Sequence, residues 1–265
     1  MNKSEKPFYI GWQENMPVDN KKYIKRFLLP IFIGLPLLAV VIVYAQKGFN
    51  NHLFEFGKIT ELTGIYHAKP VPILEVDQNN KAKLNSNYVL LVGYAKYGAE
   101  GIIKQIEDEN ESLNGKKITI QGSLIQGDGK TLLELTQEKN SLIKIHSDKR
   151  QSAIATEPLD AKIFAGEILD PKCYFGVMKP GEGKIHKSCA IRCISGGIPP
   201  IIRVMSDTHK NDYYLILGEN GEKINQKILD KVAEQTLISG RHGKLNGWNY
   251  IYTNPESIKL LEEAN

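Results

Sequence analysis

From Phe27 to Ala45 the chain reads FLLPIFIGLPLLAVVIVYA, nineteen residues without a charge. At about 1.5 Å per residue that is roughly 28 Å of helix, the depth of a bilayer's hydrocarbon core. Pro30, Gly34 and Pro36 would weaken a soluble helix, but a membrane helix tolerates such residues, and Pro30 lies near the start. Lys3, Lys6, Lys21, Lys22, Lys25 and Arg26 precede the span, while only Lys47 follows it before Lys58. The positive-inside rule therefore makes residues 1–26 a cytoplasmic tail, 27–45 a single transmembrane helix, and the remainder periplasmic, on a bacterial inner membrane. The rival is a cleaved signal peptide, whose apolar core is usually about 7 to 15 residues, shorter than this one. The lipid bilayer is the first expected partner, and Tyr9 and Trp12 in the tail suit its interface.

A formal net charge of +4, much of it before residue 27, leaves no dense basic stripe for nucleic acid. Outside the membrane, no nucleic-acid partner is expected.

The outer region repeats itself. YVLLVG (88–93) matches YYLILG (213–218), and ITIQG (118–122) matches TLISG (236–240). Six residues beyond each closing glycine of the second pair stands a hairpin dipeptide, Asp128-Gly129 and Asn246-Gly247. Both residues of such a turn must accept positive φ, which Asn, Asp and Gly do most readily. The chain then climbs as TLLELT and NYIYT and closes on SLIKI and SIKLL, while ITELTGIY and IFAGEIL supply the upstream strands. Two β-rich domains follow, 48–146 and 162–265, joined by a polar linker, 147–161. Each has five short strands with a polar or helical stretch before the fourth, the order of an OB-fold, a small five-stranded barrel. The fold class is thus mainly β: an N-terminal transmembrane helix and two tandem OB-like barrels. A generic β-sandwich is the alternative.

The copies differ in one place. Gly64 to Gly93 spans 29 residues, but Gly166 to Gly218 spans 52, so the second domain carries about 23 extra residues between its first two strands. This insertion, 173–200, holds all three cysteines, Cys173, Cys189 and Cys193, with His186 and Met178. It falls in a loop that many OB-folds use for ligands. KIHKSCAIRCIS predicts a helix ended by GGIPP, which puts His186, Cys189 and Cys193 along one face. Three readings stand. A disulfide from Cys173 to Cys189 or Cys193 would staple the loop by roughly 2 to 4 kcal/mol and leave one thiol over. Three thiols and an imidazole, if Cys173 folds over that face, suit zinc or, with Met178, a softer ion such as copper; a chain without any metal stands beside that expectation. Thiol redox chemistry draws on Lys172, Lys184, Lys187 and Arg192 nearby, without a C-x-x-C motif.

Other catalytic signatures are missing: there is no G-x-S-x-G, H-E-x-x-H, Walker loop or G-x-G-x-x-G. Trp248, Tyr250 and Tyr252 alternate on the last hairpin and form a candidate ligand-facing aromatic row, with core packing as the other reading.

The stretch from Asp170, Cys173 and Tyr174 through Cys189, Ala190, Cys193, Gly196, Gly197 and Pro199 resembles a bacterial exported OB-like domain family of unknown function, with the pattern D-x-x-C-Y then C-A-x-x-C-x-x-G-G-x-P. The resemblance covers residues 164–260, implies export, and makes the three cysteines a unit. The expected function is a non-catalytic, membrane-anchored binding or assembly component outside the cytoplasm, associated with a membrane protein complex of redox type. The alternative is a metal-binding or thiol-redox protein acting through Cys173 to Cys193.

Overall fold

The computed structural model describes residues 11, 14–46, 52–78, 83–137, 139–149, 160–205 and 211–261. Tyr9, Trp12 and most of the expected linker lie outside the described residues. The chain divides into two compact units, 1–50 and 51–265.

The first unit is helix α1 (Val18–Gln46), 29 residues long with Pro30 and Pro36 inside it. It starts nine residues before the uncharged stretch, so Lys21, Lys22, Lys25 and Arg26 ahead of the span are themselves helical. Its apolar side chains, such as Phe32 at 71% exposed, have no protein core to enter. By length and composition this one helix could span a membrane.

The second unit is two closed five-strand barrels. The first comprises β1 (Leu53–Phe54), β2 (Thr60–His67), β3 (Ile73–Val76), β4 (Tyr88–Val92), α2 (Glu100–Glu107), β5 (Lys116–Gly127), β6 (Lys130–Leu135) and β7 (Leu142–Lys149). The second comprises β8 (Asp160–Leu169), α3 (Gly183–Ser195), β9 (Ile201–Met205), β10 (Asn211–Leu217), β11 (Gln235–Leu245), β12 (Trp248–Tyr252) and β13 (Lys259–Leu260). Strands β7 and β8 take the ends of the expected linker into the barrels.

The wall of the first barrel runs β5-β2-β3-β4-β6 and closes through β5–β6; that of the second runs β11-β8-β9-β10-β12 and closes through β11–β12. In both, the third and fifth strands pair in parallel (β4 with β6, β10 with β12), and the other wall pairs are antiparallel. Each closing hairpin turns on two positive-φ residues, Asp128 (46°) and Gly129 (74°), and Asn246 (47°) and Gly247 (70°). These are the dipeptides from which the sequence predicts the turns.

The repeated glycines have a steric cause. Gly64 on β2 and Gly166 on β8 sit opposite Val76 and Val204, and a Cβ at either would fall well inside contact distance of a backbone oxygen, that of Glu75 or Arg203. Tight first-strand coiling has left no room for a side chain.

Three apolar cores follow. Leu62, Leu91, Ile118 and Leu133 fill the first barrel, and Phe164, Ile202, Ile216 and Ile251 fill the second. A third core joins the barrels: Ile73, Leu90, Ile125 and Leu132 of the first meet Phe175, Cys193, Leu215 and Trp248 of the second. Full burial of one such side chain, Phe175 for example, is worth about 1.5–3 kcal/mol.

Replacing Gly166 by alanine should lower stability by about 1–3 kcal/mol. The readout is the midpoint of urea unfolding of the full chain in detergent, followed by tryptophan fluorescence; an unchanged midpoint would mean that β8 and β9 can part to admit the methyl group.

Candidate functional site

The insertion does not face solvent as a free ligand loop. It folds against the first barrel, and Cys173, Tyr174 and Phe175 are no more than 3% exposed. Where β8 ends, Asp170 Oδ1 accepts the Lys172 amide at 2.9 Å and Asp170 O accepts the Tyr174 amide at 3.0 Å, which starts a π turn over Cys173–Val177. An aspartate bonding the amide two residues on is a local turn-former.

Helix α3 is held at both ends. The Gly183 amide at its start donates to Glu167 Oε1 of β8 at 2.5 Å, and Arg203 of β9 donates to Glu167 Oε2 at 3.0 Å. A carboxylate suits the positive end of a helix. At the far end Gly197, at φ 105°, takes the left-handed position, and the Asn225 side chain donates to Ile194 O at 2.7 Å and Ile198 O at 2.9 Å. The 3₁₀ turn carrying Asn225, Asn225–Lys231, is the second barrel's stretch before its fourth strand. Ala190 and Ile194 enter the second barrel's core, while Cys193 enters the core between barrels.

This framework brings the sulfurs together. Ligand atoms of Cys173, His186 and Cys189 lie within 4.8 Å of one another, and so do those of Asp170, Cys173 and Cys193. The Sγ atoms of Cys173 and Cys189 are 4.0 Å apart, about twice the length of a disulfide bond, and all three cysteines are free thiols. His186 Nε2 and Asp170 Oδ2 are both buried without a hydrogen-bond partner. Met178 ends the π turn, 43% exposed and outside both groups.

Charge is arranged unevenly around the cluster. Hydrogen bonding to Cys193, then burial, then the charge of Asp170 push the Cys173 thiol well above the usual range. Burial lowers His186; the charge of Asp170 opposes that and the charge of Lys96 adds to it. Lys96, from the loop after β4 in the first barrel, donates from Nζ to Cys189 Sγ at 2.8 Å, and this bond raises its own pKa against the effect of burial. Nothing in the sequence around Cys189 points to Lys96, 93 residues away. Asp170, by contrast, stands in the D-x-x-C stretch, although sequence reading gives it no role.

The same loop is locked from below. Lys172, 2% exposed, donates to Gly93 O at 2.8 Å and Ala95 O at 2.5 Å and pairs with Glu134 at 3.3 Å. Beside it the Gly98 amide donates to Gly196 O at 3.0 Å, and a Cβ on Gly196 would run into Lys96 O. On the other flank His52 donates from Nδ1 to Tyr174 O at 2.8 Å and pairs through Nε2 with Asp128 at 3.0 Å, while Tyr213 donates its hydroxyl to Asp128. Sequence reading gives His52 no role.

The aromatic row packs inward. Trp248 and Tyr250 are fully buried and Tyr252 is half-buried against them. Trp248 Nε1 donates to Tyr88 O of the first barrel at 3.2 Å, so the row packs at the joint between the barrels.

No family model, curated protein or solved structure matches the chain.

Lys172→Met should cost about 3–5 kcal/mol, because it leaves the Glu134 carboxylate and two carbonyls buried without their cation. Chemical unfolding of the full chain would read it, and a loss under 1 kcal/mol would mean that water replaces the ammonium. Asp128 gives a pH test. Burial pushes its carboxyl up, but the Tyr213 hydroxyl and His52 outweigh this and hold it below the ordinary range. A depressed carboxyl contributes stability that is complete above its unfolded value, near pH 4, and is lost as pH falls below it. Asp128→Asn should therefore flatten the loss of stability as pH falls below about 4, measured by urea unfolding at each pH.

Proposed function

We propose that the chain is a membrane-anchored metal-binding protein whose barrels lie outside the cytoplasm and hold a thiophilic metal ion between Cys173, His186 and Cys189. The observation that carries this reading is the pairing of two thiols with a buried imidazole whose Nε2 has no other partner. Such an atom costs free energy unless something bonds to it.

The spacing suits one ion. Two thiolates bound at about 2.3 Å in tetrahedral geometry stand roughly 3.8 Å apart, close to the 4.0 Å between Cys173 and Cys189. Two sulfurs and a nitrogen favour zinc among hard and borderline ions, and copper(I) among softer ones. Ligation also gives free thiols a use in an oxidising compartment, where an unoccupied pair would tend toward a disulfide. The basic residues ahead of α1 support an outward orientation for the barrels. In this reading the protein is a non-catalytic partner of a membrane complex, kept beside it by the anchor.

The full chain, purified in detergent without chelator, should contain zinc or copper by mass spectrometry, and Cys189→Ser and His186→Ala should each lower the content by one ion per chain. A metal-free chain with one titratable thiol would overturn the proposal in favour of a disulfide staple. A metal-free chain that cycles between one and three thiols with a dithiol reductant would overturn it in favour of thiol redox chemistry.

A further inference from the structure

The cluster is two overlapping triads rather than one set of five. Cys173, His186 and Cys189 form one, Asp170, Cys173 and Cys193 form the other, and Cys173 alone belongs to both. Each triad contains its own buried polar atom without a partner: His186 Nε2 in the first and Asp170 Oδ2 in the second. Asp170 is 0% exposed and His186 is 2% exposed, so both are removed from the surface. Asp170 Oδ1 accepts the Lys172 amide, which orients the carboxyl, and the carboxyl also bonds the Cys173 thiol, whose proton a metal would displace.

From this geometry we infer a second metal site, Asp170–Cys173–Cys193, that is filled together with the first, the Cys173 sulfur bridging two divalent ions. The inference rests on the metal-binding reading of the first triad and extends it.

Charge supports the pair. Three thiolates and one carboxylate carry four negative charges, which two divalent ions neutralise. One ion would neutralise the thiolates of Cys173 and Cys189 and leave Asp170 buried with Cys193 and no cation of its own. Uncompensated buried charge is costly. Lys172 does not supply that cation, because its ammonium is turned to Gly93 O, Ala95 O and Glu134 in the first barrel. Lys96 hydrogen-bonds Cys189 in the other triad, and although its charge also acts on Cys193 and Cys173, it offsets only one of the four negative charges. A thiolate has lone pairs enough for two metals, and carboxylate oxygen with sulfur is an acceptable donor set for zinc or cobalt(II). Binding displaces one proton from each ligating thiol, with no electron transferred.

The test is a titration of the full chain, stripped of metal in detergent, with cobalt(II) chloride and separately with zinc sulfate. Wild type should take up two ions per chain. Asp170→Asn, which keeps an oxygen for the Lys172 amide, and Cys193→Ser should each take up one, and so should Cys189→Ser; Cys173→Ser should take up none at micromolar metal. Bridging has its own signature: the cobalt(II) paramagnetic resonance signal per metal should fall by more than half as the second equivalent binds, because a shared thiolate couples the two spins.

A wild type that saturates at one ion, with Asp170→Asn and Cys193→Ser unchanged, overturns the second site and leaves the first standing. No uptake by any form overturns both. Two ions whose signals simply add overturn the bridge. Near-ultraviolet circular dichroism of each variant with and without metal separates a lost ligand from a lost fold, and a variant that fails to fold is replaced by Asp170→Ser or Cys193→Ala.

Discussion

The buried ammonium of Lys172 is the contact on which the joint between the barrels depends. It is donated by the insertion of one barrel and accepted by backbone carbonyls and a carboxylate of the other. Apolar surface alone could hold the barrels at many angles, because burial is not directional. A cation that must meet fixed acceptors in a dry interior admits very few. The loop from Gly93 to Gly98 is pinned by it, and with that loop comes Lys96 against Cys189. The cysteine cluster therefore belongs to the joint as much as to the second barrel, although every sulfur comes from the latter.

This placement explains the insertion's odd composition. It must bury one face in the second barrel, a second face in the first, and still present thiols to one another. Helix α3 meets the first demand with Ala190 and Ile194 and the second with Cys193. The π turn places Tyr174 and Phe175 into the shared core beside Tyr213. A wider helical turn at Cys173–Val177 fits the tendency of such irregular turns to occur at functional sites.

Much of the fold was legible in the sequence, for reasons that are local. Asp128-Gly129 and Asn246-Gly247 announce hairpins through their own backbone freedom, and Gly64 and Gly166 mark first strands because the opposing backbone leaves no space there. The helix through His186, Cys189 and Cys193 shows in its period and in the glycines that end it. The candidate site was legible only in part. Cysteines and a histidine advertise their chemistry by type, but Lys96, His52 and Glu134 are ordinary residues whose meaning comes from a barrel contact that no nearby residue encodes. The aromatic row shows a related limit: alternation shows that Trp248 and Tyr250 share a face, and only the packed barrels show that the face is covered.

The contact of Gly98 with Gly196 has a consequence for how such a chain can change. Each barrel has its own core and closes its own wall, so each looks like a part that could be exchanged or duplicated alone. At this contact, however, the backbones approach so closely that the second barrel's Gly196 has no room for a side chain beside Lys96 O, and Gly98 none beside Gly197 O. A first barrel moved to another setting would take with it a bare stretch of backbone that suits only this neighbour. The two repeats are similar in plan, but they are no longer interchangeable parts.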